Sequence, residues 1–222
     1  MKPVVILRPE PGATQTEDRA RRLGLPVRRC PLFVGRPVAW EPPSPDDFDA
    51  LLVTSAQAAR LAGPNLARYR RLPAYAVGRP TARALEAEGF AEVTAGQADG
   101  TAIAAQIAAH GHRRVLHLGG RTVAAIDPGP LSIRRVPVYE MTGRESVDID
   151  AAFEQGAIVL VHSPRAGERL AALIGMERRP LFRIVAISRS ALAACGGGWK
   201  SGEAADRPDD ETMLALARRL CE

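Results

Sequence analysis

The chain has 222 residues, 46% of them hydrophobic and 25% charged, which excludes intrinsic disorder and leaves room for two domains of about 100 residues each. Its formal net charge is +5, yet aromatics make up only 5%, and with no zinc-finger, RRM or helix-turn-helix signature nucleic acid is a poor candidate partner. No apolar run approaches the ~18 residues that span a bilayer, and "MKPVVILRPEP" lacks the apolar core and small-residue cleavage site of a signal peptide, so the expected location is the cytoplasm.

In chain order, "PVVILRP" (3–9) is an apolar run closed by Pro9 and predicts a buried strand. "TEDRARRLG" (16–24) predicts a helix ended by Gly24, and "PVRRCPLF" (26–33) a second strand, a βαβ opening that points to a parallel sheet. Four prolines mark "GRPVAWEPPSPDD" (35–47) as a crossing segment or loop. "FDALLVTS" (48–55) reads as a strand and "AQAARLAG" as a short helix. "PAYAVG" (73–78) is a strand, "RPTARALEAEG" (79–89) a helix with Pro80 in its first turn and Gly89 at its end, and "AEV" (91–93) a short strand. "GTAIAAQIAAHG" (100–111) is an amphipathic helix, "RRVLHLGG" (113–120) a strand running into a glycine turn, and "IRRVPVYEMTG" (133–143) is extended. "AIVLVHS" (157–163), "PRAGERLAALIG" and "FRIVAIS" (182–188) give strand, helix and strand. "RSALAACGGG" is a helix broken by glycines, and "DDETMLALARRLC" (209–221) is a closing helix with acids at its start and Arg218 and Arg219 near its end, matching the helix dipole.

The pattern repeats. "LVTSAQAARL" is followed by "YAVGRPTARALEAEG", and "LVHSPRAGERLAAL" by "IVAISRSALAACGGG". Ser55 and Ser163 lie 108 positions apart, Gly78 and Ser188 110 apart. Two successive strand–helix units therefore recur, which predicts two similar α/β lobes with parallel sheets, and strand ends in such sheets are where ligands bind.

The individual motifs exclude more than they assign. "VHSPR" (161–165) lacks the small residues that a nucleophile elbow needs around its serine. His110 and His112 fall in a loop and His117 in a strand, with no carboxylate to complete a metal site; they read as solvated or core histidines. "LGGRTV" (118–123) has neither a Walker lysine nor the third glycine of a dinucleotide loop, though a glycine turn with one arginine can hold a carboxylate. Cys30, Cys195 and Cys221 are odd in number and widely spaced, which excludes a CxxC pair and suits a reducing compartment. Lysine occurs only at Lys2 and Lys200, so almost all positive charge is arginine; codon bias explains this, and so does an anionic ligand. Tyr139 is either an aromatic packed at a domain edge or a phenol facing an inter-lobe cleft, able to donate a proton.

Taken in order, "LRPEPGA", "PLFVGRPV", "FDALLVTSAQAAR", "YAVGRPTARALEAEGF", "VPVYE" and "LVHSPRAGERL" resemble the uroporphyrinogen-III synthase family over essentially the whole chain, with Leu7 where that family has Thr. The resemblance implies two flavodoxin-like lobes joined by a two-stranded β linker: a discontinuous lobe at 1–37 and 144–222, and a second at 38–143. It implies cyclisation of hydroxymethylbilane, a linear tetrapyrrole bearing acetates and propionates, to uroporphyrinogen III with loss of water and inversion of ring D, as part of heme biosynthesis, by a monomer needing no cofactor and no metal. By the same resemblance Tyr139 is the catalytic candidate. Arg8, Thr54, Ser55, Gly78, Thr81, Gly120, Arg121, Ser163, Arg165 and Ser188 are the candidates for binding the substrate. Pro128, Gly129 and Pro130 predict a truncated helix after the turn at 119–120, and Ser188 and Ala191 depart from the other lobe's Gly and Thr. The alternative is a catalytically silent two-lobe relative that binds an anion or regulates, or a two-lobe binder of another anion such as a sugar phosphate.

Overall fold

The computed structural model describes residues 2–96, 99–145, 147, 152, 153 and 156–221. The chain divides into two compact units, Met1–Val34 with Gly143–Glu222 and Gly35–Thr142, called here unit 1 and unit 2. No helix among the described residues is long and apolar enough to cross a membrane.

Unit 1 holds β1 (Val4–Ile6), α1 (Gly12–Arg22), β2 (Val27–Arg29) and the start of β3 (Phe33–Pro37). Unit 2 continues with β4 (Ala50–Val53), α2 (Ala56–Leu61), β5 (Ala74–Ala76), α3 (Arg79–Ala87), β6 (Val93–Ala95), α4 (Gly100–Ala109), β7 (Arg114–Gly120) and β8 (Ser132–Gly143). The chain then returns to unit 1 with β9 (Ile158–Val161), α5 (Pro164–Leu173), β10 (Arg183–Ala186), α6 (Arg189–Ala194), β11 (Ser201–Ala204) and α7 (Asp210–Cys221).

Each unit has its own sheet. In unit 1 the order is β11-β10-β9-β1-β2 and every pairing is parallel. In unit 2 it is β3-β8-β7-β4-β5-β6, parallel from β8 to β6. The two orders share one pattern: β1-β9-β10-β11 corresponds to β7-β4-β5-β6, with β2 beside β1 as β8 stands beside β7. The repeat in the sequence has this origin. Ser55 and Ser163 cap the helices that follow β4 and β9, and their hydroxyl oxygens accept hydrogen bonds from the Gln57 and Ala166 amides at 3.2 Å each.

The apolar runs that predict strands become the inner strands, because a parallel sheet covered on both faces wants hydrophobic residues at every position. Val4–Ile6, Ala50–Val53 and Ile158–Val161 are buried throughout. Successive side chains then feed opposite clusters. In unit 1, Val5, Leu7, Val159 and Val161 pack with Ala166 and Leu170 of α5, while Val4, Ile6, Ile158 and Leu160 pack with Ala13 of α1 and Met213 and Leu214 of α7. In unit 2, Leu51 and Val53 face α2 and α3, and Ala50, Leu52 and Val115 face Ile103 and Ile107 of α4. Each fully buried Leu or Ile contributes about 1.5–3 kcal/mol of transfer free energy.

Local differences from the sequence reading have local causes. The first helix begins at Gly12 rather than near Thr16, its opening turn held by the Glu10 carboxylate, which accepts from the Thr14 amide at 3.1 Å and hydroxyl at 2.8 Å. The strand expected over 91–93 is Val93–Ala95, and Ser201–Ala204 forms an edge strand that its sequence SGEA does not advertise. Gly119 and Gly120 do not form a turn. They lie in β7, paired with Pro137 and Tyr139 across a register shift. The stretch 121–131 that follows contains no helix at all; Pro128 and Pro130 each lack an amide that a helical ladder would use.

Candidate active site

In unit 2 a cavity of about 470 Å³ opens where β4, β5 and β7 end. Its wall includes Thr54 and Ser55 just past β4, Val77 past β5, Asp99 and Gly100 at the start of α4, the 122–126 stretch, and Tyr139 from β8. Parallel strands point their carboxyl ends here, and β7 lies beside β4 although α2, β5, α3, β6 and α4 intervene in sequence, the kind of position where open α/β sheets bind ligands.

Thr54 and Ser55 are thus brought together with Tyr139, which lies 85 and 84 residues further along the chain. The Ser55 oxygen accepts from Gln57 N–H at 3.2 Å, which leaves its own proton to donate elsewhere. The Thr54 hydroxyl lies 3.1 Å from Nε2 of His117. Asp99 caps α4 by accepting from the Ala102 amide at 2.9 Å. Tyr139 is 8% exposed, and its ring lies across Gly120: a Cβ on Gly120 would stand 3.0 Å from Cζ and 3.2 Å from the phenolic oxygen. Gly120 has no positive φ, so space and not backbone conformation is what a side chain there would lack. Gly120→Ala should therefore shift the Tyr139 ring by a few tenths of an ångström, costing about 1 kcal/mol of stability, at the low end of overpacking, and lowering turnover with it; unfolding melts and rate measurements on one preparation check both.

Several other candidates already have partners. Arg121 ion-pairs with Glu140 at 3.0 Å. Thr81 is buried within α3, and Gly78 is that helix's N-cap residue. Four candidates belong to unit 1. Arg8 bonds to Asp210 at 3.1 Å, Arg165 stands over the Phe33 ring at 4.6 Å, and Ser163 and Ser188 cap α5 and α6.

Two arrangements escaped the sequence reading. The first is the contact of His117 with Thr54 in the cavity wall; the histidine is 2% exposed, in keeping with the core alternative of its sequence reading, but its partner is not announced there. The position of His117 two residues before Gly119, on the same face of the strand, was the available signal. The second is in unit 1, where the Asp210 carboxylate, 3% exposed, gathers Arg8 at 3.1 Å, Arg19 at 2.6 Å, His162 at 2.8 Å and the Thr16 hydroxyl at 2.8 Å. Burial alone would raise the Asp210 pKa, but hydrogen bonds from His162 and Thr16 and the charges of His162 and Arg8 outweigh it and hold the carboxyl well below its ordinary 3.8. Among the described residues, no three His, Cys, Asp or Glu side chains gather closely enough to hold a metal ion.

Known structures and families bear on this arrangement. Uroporphyrinogen-III synthetase from Helicobacter pylori is 19% identical, with a TM-score of 0.70, 99% of this chain and 100% of that one being covered. At that identity the likeness concerns the fold. Uroporphyrinogen III synthase from Thermus thermophilus also matches, 14% identical over the whole of both chains, with a TM-score of 0.40. No curated protein sequence matches. The family model for uroporphyrinogen-III synthase HemD matches residues 14–215, and with so much of its length matched the chain belongs to the uroporphyrinogen-III synthase family, cyclising enzymes of tetrapyrrole biosynthesis.

Proposed function

We propose that this chain converts hydroxymethylbilane into uroporphyrinogen III and that the unit 2 cavity holds one carboxylate-bearing part of the substrate. The convergence of Thr54, Ser55 and Tyr139 on that cavity carries this reading. Hydroxyls that donate to a carboxylate hold a flexible polyanion in one shape, and shape decides the product: the free substrate closes without inverting ring D. Water leaves from the hydroxymethyl group on ring A. The azafulvene so formed is attacked by the substituted α-carbon of ring D, and the spiro intermediate breaks and recloses with that ring inverted. Tyr139 is the donor to the departing hydroxyl in this scheme and recovers its proton as the ring system loses one.

The same reading takes the units as flavodoxin-like lobes, 1–37 with 144–222 and 38–143, joined by a two-stranded linker. Each sheet's central order, with the first strand of the pattern flanked on both sides, supports it. The remaining candidates, Arg8, Gly78, Thr81, Gly120, Arg121, Ser163, Arg165 and Ser188, serve substrate binding in this reading, with Arg8 and Arg121 having to exchange Asp210 and Glu140 for a substrate carboxylate.

The test is to supply hydroxymethylbilane and determine the ratio of type III to type I uroporphyrinogen. Tyr139→Phe should slow type III formation about tenfold, less than the 10²–10⁴ typical of a positioned proton donor, because the azafulvene forms readily without help. Wild-type turnover by Tyr139→Phe under single-turnover conditions would remove its catalytic role. A wild-type protein giving only the type I isomer would leave an anion-binding relative as the better account.

A further inference from the structure

The contact between His117 and Thr54 depends on an absence of side chain. In the β4–β7 register Val53 pairs with Leu118, which brings Thr54 alongside Gly119. His117 is two residues earlier on the same strand face, and side chains on a strand lean along it. Gly119 leaves the space through which the imidazole reaches the cavity wall: a Cβ there would lie 3.1 Å from Nε2 and 3.5 Å from Cε1 of His117. The ring is 2% exposed, and its Nε2 stands 3.1 Å from the Thr54 hydroxyl oxygen.

A threonine hydroxyl has one proton and two lone pairs. If Nε2 accepted, that proton would be spent on the imidazole, and Thr54 would turn only lone pairs toward the cavity. If Nε2–H donates, Thr54 keeps its proton for a ligand. Its neighbour Ser55 is already arranged in the second way, its oxygen accepting from the Gln57 amide. Two adjacent hydroxyls, each accepting one hydrogen bond from the protein side and keeping its own proton, form a pair of donors suited to one carboxylate.

We propose that His117 is a positioning residue that donates from Nε2 to Thr54 and so turns the Thr54 proton into the cavity toward a substrate carboxylate. This rests on reading the cavity as a substrate site. The imidazole sits in the strand next to Arg135, its register partner on β8, whose charge adds to burial in keeping the ring neutral. A neutral ring brings a hydrogen bond but adds no charge of its own to the cavity wall.

A double-mutant cycle with hydroxymethylbilane separates this proposal from the reading beneath it. Thr54→Val should raise KM about tenfold, as loss of a hydrogen bond to a charged group does. His117→Leu should raise KM about fivefold with kcat changed less than about twofold, and the double variant should be no worse than Thr54→Val alone. His117→Gln, which places an N–H donor near the Nε2 position, should stay within about twofold of the wild type. If Thr54→Val behaves as wild type, the cavity is not the substrate site and both readings fall. If Thr54→Val is impaired but His117→Leu is not, or the two effects add, the role of His117 alone is overturned. Should His117→Leu fail to fold, the ¹⁵N resonance of Nε2 in the wild-type protein decides: a protonated, pyrrole-type shift supports the donor assignment, and an imine-type shift overturns it.

Discussion

Asp210→Ala should destabilise unit 1 by about 3 kcal/mol, near the lower end of what removing one partner of a buried charge cluster costs. The carboxylate is 3% exposed and accepts from four side chains contributed by the 8–19 segment and by His162. Without it, Arg8 and Arg19, whose side chains are 31% and 49% exposed, can turn to water, which tempers the loss. His162, 6% exposed, cannot. The contact also ties α7 to α1 and to the ends of β1 and β9, so the loss falls on elements far apart in the chain. Arg19→Ala should cost only about 1 kcal/mol, since its partner keeps three other donors and the arginine is half in solvent. Urea unfolding of the two variants, with hydrogen exchange to locate the weakened segments, checks the asymmetry; equal losses would mean that Asp210 acts as an ordinary surface partner. The sign with pH follows from the depressed carboxyl. Its contribution is present above the unfolded value near 3.8 and is lost as pH falls toward the lower folded value, so the gap between wild type and Asp210→Ala should narrow in acid.

What the sequence conveyed and what it did not divide along a physical line. Inner strands are legible because burial on both faces demands a continuous apolar run, as in VVI at Val4–Ile6 or IVLV at Ile158–Val161. The serine corners are legible because an N-cap is a local requirement: Ser55, Ser163 and Ser188 each satisfy an amide within three residues. Edge strands such as Ser201–Ala204 are not, since half their surroundings are solvent and almost any residue will do. Asp210 reads in the sequence as one of a pair of acids opening a helix. Asp209 fills that role, bonding the Thr212 amide at 2.7 Å, while Asp210 turns inward to partners up to 202 residues away. Gly119 and Gly120 read as a turn because glycine is common there. In the sheet their smallness serves instead the ring of His117 and the ring of Tyr139, facts set by register and by side chains from neighbouring positions. Of the candidate site, Thr54, Ser55 and Tyr139 converge in one cavity, whereas the occupation of Arg8 by Asp210 and of Arg121 by Glu140 depends on long-range and cross-strand neighbours that no local pattern announces.

The second large effect should come from His117. Burial pushes its pKa down to about 4 from the usual 6.5, and the charge of Arg135 acts in the same direction. The folded protein therefore refuses a proton that the unfolded chain accepts. Above about pH 6.5 the imidazole is neutral in both states and contributes no pH dependence. As pH falls from there to about 4 the unfolded state gains the proton first, and unit 2 should lose stability by about 3 kcal/mol across that window. His117→Gln has nothing to titrate, so its stability should stay flatter over the same range and exceed the wild type's near pH 4 even if it is the less stable variant at neutral pH. Comparing the two proteins at each pH cancels groups common to both, including Asp49, whose carboxyl is held down at about 2 chiefly by hydrogen bonds from Arg114. Urea midpoints of wild type and His117→Gln, measured at about pH 7, 5.5 and 4.5, test this. Parallel pH profiles would show that the imidazole is hydrated or charged in the folded state. An imidazolium beside Thr54 would still donate from Nε2, but it would bring its own positive charge to the cavity wall, and binding of the substrate carboxylate would then weaken as pH rises through the histidine's pKa. A neutral His117 predicts no such step, because the hydrogen bond it offers Thr54 stays the same across the range in which closure of the tetrapyrrole macrocycle can be measured.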